Sequence, residues 1–208
     1  MSTRFYDQYC PLAQALDVLA ERWTLLILRE LLGGPRRYSD LRDALPGIAT
    51  NLLSARLRRL AAEGLAEQVE VPPPVARTMY RLTDAGWDQV LPVIHALARF
   101  GLGRLPAEPA EVPPLTGFLV GVLAGFDDRR LGQADEDYRV VVDGHSFDFG
   151  VHAGGLRAAR GAPVVEIRSR ARDLVERRVG NGEDAASRIE IHGAAGPVSR
   201  FMSLFRLD

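Results

Sequence analysis

This chain of 208 residues contains no lysine and a single cysteine, Cys10. One thiol cannot close an intrachain disulfide, so the fold must be held by its core. The missing lysine leaves arginine as the source of all 26 basic side chains. That bias is most simply the codon usage of a GC-rich genome and says little about mechanism. No apolar run is long enough to span a membrane and no signal-peptide pattern opens the chain, so the expected location is the cytoplasm. Chemistry is scarce too: no glycine-rich phosphate loop precedes a helix pattern, no cysteine supports a zinc site, and no Ser-His-acid set has readable spacing. His145, His152 and His192 fall on predicted strands. His145 and His152 are seven apart and point to opposite faces of a regular strand, a poor metal pair. The sequence therefore predicts no catalytic residue, no metal and no cofactor.

What is present concentrates between Ser39 and Tyr80. A short amphipathic helix from Ser39 leads to a Pro46-Gly47 turn, a second helix over 50–62, and two strands around a Pro72-Pro73-Pro74 tip. That order is a winged helix-turn-helix. On a helical wheel, Leu53, Leu57 and Leu60 form one stripe, while Asn51, Ser54, Ala55 and Arg58 face away, with Arg56 and Arg59 at the edges. Small hydrogen-bonding side chains beside arginines suit an element that enters a major groove and also reaches phosphates. Arg36 and Arg37, beside Ser39, stand at the entrance of the first helix, where guanidinium groups can meet phosphate. Arg77, near the wing tip, is placed to reach a minor groove or the adjoining backbone. The bland alternative for the second helix, a solvated outer face, loses weight once these flanks are counted.

Cys10-Pro11, Arg22-Trp23-Thr24-Leu25-Leu26-Ile27-Leu28-Arg29-Glu30-Leu31, Gly34-Pro35-Arg36-Arg37-Tyr38-Ser39-Asp40-Leu41-Arg42, Leu45-Pro46-Gly47-Ile48, Leu53-Ser54-Ala55-Arg56-Leu57, Glu63-Gly64-Leu65 and Tyr80-Arg81-Leu82-Thr83-Asp84-Ala85-Gly86 together resemble the HxlR family of bacterial transcriptional regulators. The resemblance covers roughly the first hundred residues. It implies a homodimer that binds double-stranded DNA at an inverted repeat, with Arg36, Arg37, Ser39, Thr50, Asn51, Ser54, Ala55, Arg58, Arg59 and Arg77 as the DNA-contacting set. Two departures stand out. Ala49 occupies the usual capping position, which leaves Thr50 as the expected cap. Ala55 stands where a glutamine is common, exchanging a bidentate base contact for contact with a thymine methyl group.

The chain is longer than one winged helix needs. A proline-rich, acidic stretch over 105–115 reads as a stiff linker between a DNA-binding and dimerisation domain, 1–104, and a second domain, 116–208. Thr83 is expected to cap a helix over 84–102 whose apolar residues spread beyond a single stripe, with Pro92 kinking it. Phe5, Tyr6, Tyr9, Leu12, Leu16 and Leu19 show the same excess near the start. Both regions are read as dimer interface; the competing reading is cover for the second domain.

The second domain is read as α+β, one antiparallel sheet backed by helices: a helix over 115–125, a hairpin with Asp143-Gly144 at its turn, strands near 156–160, 164–168 and 188–192, a helix over 171–179 and a closing helix over 198–207. Its element order resembles the sterol-carrier-protein-like lipid-binding domains. The resemblance implies an apolar tunnel and an apolar small-molecule effector, with Phe118, Leu119, Val122, Leu123, Phe126, Phe147, Phe149, Phe201, Met202 and Phe205 as the lining set. Taken singly, each is more readily plain core than a ligand contact. Cys10, before Pro11 at a helix head, is a redox candidate because a helix N-terminus favours a thiolate; a small packed residue is its bland reading. The combined expectation is a dimeric repressor governed by an apolar effector. A sequestering protein that keeps the winged helix as a dimer scaffold, and a thiol-sensing regulator, stay open as alternatives.

Overall fold

The computed structural model describes residues 5–71, 77–102, 104, 122–123, 125–170, 173 and 188–206. The chain divides into two compact units, 1–86 and 87–208. The expected linker over 105–115 lies outside the described residues, as do most of the helices expected over 115–125 and 171–179.

In the first unit, Pro11 opens α1 (Pro11–Leu19), where a missing N–H leaves no helix bond unmade. The centre is α2 (Thr24–Leu32), in which Ile27, Leu28, Leu31 and Leu32 are almost inaccessible. Gly34, at φ +103°, ends it in a backbone conformation that side chains rarely adopt. Asp40 accepts the Arg37 N–H at 3.0 Å, securing the start of α3 (Tyr38–Ala44). Pro46-Gly47 then turns the chain into α4 (Thr50–Ala62), with Gly47 at φ +89°. The predicted stripe of Leu53, Leu57 and Leu60 is the buried face of α4.

The wing follows. Strands β1 (Ala66–Val71) and β2 (Arg77–Leu82) pair antiparallel, Ala66 opposite Leu82 and Val71 opposite Arg77. Arg36 extends this sheet through its backbone: its N–H donates to the Tyr80 carbonyl at 2.9 Å and its carbonyl accepts the Tyr80 N–H at 2.7 Å. Thr83 caps α5 (Asp84–Leu102) as expected: its hydroxyl accepts the Gly86 N–H at 2.8 Å and donates to the Gly64 carbonyl at 2.6 Å. The expected cap at Thr50 is corrected. Ala49 is the N-cap of α4, no side chain caps there, and Thr50 is already the first helical residue.

The second unit carries a five-stranded sheet of β3 (Glu136–Val142), β4 (His145–His152), β5 (Gly155–Ala158), β6 (Val165–Ser169) and β7 (Glu190–Gly193), in the order β5-β4-β3-β6-β7. The hairpin turns Asp143-Gly144 (φ 47° and 81°) and Ala153-Gly154 (φ 48° and 80°) have both central residues at positive φ, which matches the twist of adjacent antiparallel strands. The sheet is not antiparallel throughout, contrary to the sequence reading. After β5 the chain crosses to the far side of β3, and β6 runs parallel to it, Tyr138 opposite Val165. One face of the sheet presents Tyr138, Val140, Phe147 and Phe149 to the closing helix α6 (Ala195–Phe205), whose Phe201 ring centroid lies 5.0 Å from that of Tyr138. This helix starts three residues before its expected first residue, Val198. Gly196 and Pro197 sit in its first turn, where proline removes no helical hydrogen bond.

Candidate functional site

The exposed side of α4 presents Asn51 and Arg58, with Ser54 and Ala55 half-buried between them. Arg58 lies back along the helix, its Nε donating to the Ser54 carbonyl at 3.4 Å. Tyr38, at the head of α3, reaches across to this face: its hydroxyl donates to the Thr50 carbonyl at 2.6 Å and its Oη lies 3.2 Å from Ser54 Oγ. The sequence reading quoted Tyr38 only as part of a motif. An aromatic residue with a polar tip at the first turn of the helix preceding α4 was the available signal.

The arginines divide by what they already hold. Arg56 pairs with Glu21 and its Nε donates to the Arg22 carbonyl at 3.4 Å, tying α4 to the chain between α1 and α2. Arg59 pairs with Glu63 one turn on at 2.9 Å, and its guanidinium lies 5.5 Å from the Phe5 ring centroid. Arg36 is half-buried and its Nε donates to the Glu30 carbonyl at 3.5 Å, so its backbone and side chain both serve the joint between α2 and the wing. Arg37 and Ser39 are exposed. Arg77 opens β2; its side chain and the proline tip lie outside the described residues.

Residues 18–108 match the HxlR-like helix-turn-helix family. Among relatives, an HTH-type transcriptional regulator of Synechocystis sp., sll1512, is 39% identical over 108 residues, 52% of this chain and 79% of that protein. The Bacillus subtilis regulator YvaP is 34% identical over 95 residues, 45% of this chain and 87% of its own length. The chain belongs to the HxlR-like family. A third relative, the HTH-type transcriptional regulator Rv3095 of Mycobacterium tuberculosis, is 41% identical over 115 residues, covering 55% of this chain and 69% of that one. Among solved structures, the reduced form of the transcriptional regulator YodB from Bacillus subtilis aligns over 50% of this chain and all of its own, at 26% identity and a TM-score of 0.40.

The remaining candidates of this HxlR-like chain lie elsewhere. Cys10 is the half-buried N-cap residue of α1. In the second unit, Phe149, Phe201 and Phe205 are buried with Tyr138, their ring centroids 4.4–6.0 Å apart, and Phe126 adds a contact to Phe205 at 5.5 Å. Phe147, Val122 and Leu123 are buried and Met202 half-buried. Phe118 and Leu119 lie outside the described residues. The structure brings the described rings together as mutually packed side chains.

Ionic groups border this core. Glu136 pairs with Arg200 of α6, which holds its carboxyl below the ordinary range against the opposing effect of burial. Its Oε2 accepts the Tyr138 hydroxyl at 2.9 Å, and burial, then that carboxylate, push the phenol up. Asp127 is gripped by Arg129 at 3.0 Å and by Arg206, which together hold it far below the usual carboxylate range. His152 is buried on the opposite face of the sheet from the rings, with Nε2 2.8 Å from Asp137 Oδ1 and Nδ1 against Asp135 Oδ1. Asp137 also accepts the Arg160 and Gly161 N–H groups at 3.1 and 2.7 Å, so its carboxylate clasps β3 to the chain that follows β5.

Proposed function

We propose that the chain is a dimeric, DNA-binding transcriptional regulator of the repressor type. In this reading α4 enters a major groove, Asn51, Ser54 and Arg58 meet base edges with Ala55 against a thymine methyl, and Arg37, Ser39 and the start of α4 hold the phosphate backbone. Arg36, Arg59 and Arg77 contribute positive charge around that surface. The observation that carries the reading is the division of α4 itself: a leucine stripe sealed in the unit, and on the other side a polar row beside a two-stranded wing. Membership of a family whose relatives here are HTH-type transcriptional regulators supports it.

Dimerisation rests on apolar side chains that the isolated chain leaves in water, Tyr9 and Leu12 near α1 and Leu97 and Phe100 on α5. The second unit serves as the signal receiver, taking an apolar small molecule in the manner of the sterol-carrier-like lipid-binding domains that its element order resembles. The ring cluster under the sheet is the support for that assignment: such a molecule would replace ring contacts with its own, and coupling to DNA requires unequal affinity for two conformations.

The deciding experiment is a mobility shift at fixed moderate salt, comparing DNA from upstream of the protein's own gene with unrelated DNA of equal length. The regulator reading expects a marked preference that is released by apolar compounds. Equal weak binding to both, together with tight binding of an apolar compound, would replace it with the sequestering-protein reading.

A further inference from the structure

We infer that Tyr38 fixes Ser54 as a hydrogen-bond acceptor toward the DNA, so that the Ser54 position of α4 selects a base that presents an amino group in the major groove, adenine or cytosine, over one that presents a keto oxygen there. The inference rests on the DNA-reading assignment of α4 made above.

A phenol has one hydrogen to give and a backbone carbonyl can only accept. The 2.6 Å contact between Tyr38 Oη and the Thr50 carbonyl therefore uses the phenol's proton. At the second contact, 3.2 Å from Ser54 Oγ, the phenol oxygen is left as acceptor and the serine hydroxyl donates. With its only proton turned inward to Tyr38, Ser54 offers lone pairs outward. The geometry of α4 places those lone pairs on the reading side: Ser54 is three residues after Asn51 and four before Arg58, both exposed, so the three stand in one row. In the major groove, adenine N6 and cytosine N4 donate, whereas guanine O6 and thymine O4 accept. An acceptor at Ser54 is satisfied by the first pair and faces a second acceptor in the other.

Without the phenol, Ser54 is released from this constraint. Its hydroxyl can turn outward and donate to a keto oxygen, or back-bond to the freed Thr50 carbonyl one turn earlier. The preference relaxes while the helix and its phosphate contacts stay in place. Tyr38 is thus a positioning residue, acting through Ser54.

The test selects binding sites from a random duplex pool with the full chain, then with Tyr38→Phe and Ser54→Ala. The position at which Ser54→Ala loses preference identifies the base read by Ser54. At that position the wild-type chain should favour adenine or cytosine on the contacted strand, and replacing that base by its analogue lacking the amino group should weaken wild-type binding roughly three- to tenfold, the scale of one hydrogen bond. Tyr38→Phe should lose the preference at that position alone, keeping the others and keeping its affinity for unrelated DNA, a pattern that a general loss of fold would not give. A preference for guanine or thymine there, or an unchanged preference in Tyr38→Phe, overturns the inference. Should Tyr38→Phe fail to fold, the analogue experiment on the wild-type chain and Ser54→Ala still decides: equal loss of binding in both sinks it. A wild-type chain that enriches no sequence at all overturns the DNA-reading assignment itself, and a chain that enriches a site without any position sensitive to Ser54→Ala overturns only the role given to Ser54 and Tyr38.

Discussion

His152 and Asp137 meet across Gly150: the imidazole Nε2 lies 2.8 Å from Asp137 Oδ1, in the space that a β-carbon on Gly150 would occupy. Gly150 stands opposite Asp137 in the β3–β4 ladder, so the glycine exists in the middle of a sheet to let this pair close over it. Gly150→Ala places a methyl group on both partners and should destabilise the second unit by about 1–3 kcal/mol, the usual cost of overpacking a buried site. Chemical denaturation of the wild type, Gly150→Ala, His152→Ala and the double variant checks it. Because the two changes strike one contact, their costs should not add; full additivity would show that Gly150 and the clasp are independent.

Acid should weaken the second unit first. Asp127, Asp135 and Glu136 are all held below the ordinary carboxylate range, by Arg129 and Arg206, by His152, and by Arg200 respectively. A carboxyl group with a lowered folded value contributes stability that is complete above its unfolded value, about 4, and is lost as pH falls from there toward the folded value. The protection factors of amides in β3 and β4, measured from pH 6 to 3, should fall below about pH 4 before those of α2 and α4. Glu136→Gln removes one of the three titrating groups and should flatten the slope; an unchanged slope would mean that the Arg200 pair adds nothing to it.

How much of this was legible follows from the range over which each feature is encoded. The first unit is written locally: leucine spacing places the buried face of α4, glycines mark the ends of α2 and the turn before α4, and Thr83 caps α5 within three residues. The first hairpin of the second unit was readable for the same reason, since Asp143-Gly144 names its own turn. The clasp was not. It joins residues 15 and 17 apart through a strand register that periodicity does not give, and the histidine counts as an isolated strand residue until the register is known. The parallel pairing of β6 with β3 likewise depends on where a crossover lands. In the candidate site, the polar row on α4 was visible from the wheel, but nothing local shows that Tyr38 reaches Thr50 and Ser54, or that Arg56 is spent on Glu21.

Two arginines two residues apart on α4 should therefore behave oppositely. Arg58 is exposed on the reading row, and Arg58→Ala should cost roughly 1–3 kcal/mol in specific DNA binding with the fold intact. Arg56, whose side chain is only 16% exposed and pairs with Glu21, should cost about 1 kcal/mol of stability on replacement by alanine and leave sequence preference unchanged. Thermal unfolding and mobility shifts on the two variants separate these roles, and the assignment fails if Arg56→Ala alters the selected sequence while Arg58→Ala does not.

Gly86 tests how tightly the first turn of α5 packs against Leu65. A β-carbon there would overlap the Leu65 carbonyl, which accepts the Thr83 N–H at 3.2 Å just before α5 begins. Backbone on one side and a capping threonine on the other leave little to shift. Gly86→Ala should lower stability by about 1–3 kcal/mol despite the better helix propensity of alanine, which favours the variant by about 1 kcal/mol. A variant as stable as the wild type would mean that the start of α5 moves away from Leu65 at no cost.

The apolar side chains left in water make the last prediction. Tyr9 is fully exposed, Leu12 is 67% exposed, and on α5 Leu97 and Phe100 are 45% and 62% exposed. Burial of such side chains against a second copy would contribute about 25 cal/mol for each Å² removed from water, whereas a charge in their place would have to be desolvated for the same contact to form. Leu12→Glu and Phe100→Glu alter residues that already face solvent, so the folded monomer should tolerate both. Sedimentation at micromolar concentration should show the wild type as a dimer and each variant shifted toward monomer. On DNA, binding to an inverted repeat should fall far more than binding to a half-site, because two linked reading helices gain from each other only while the dimer holds. Variants that remain dimeric would move the interface to another surface, and a wild type that is monomeric at that concentration would remove the dimer from the proposed mode of DNA reading.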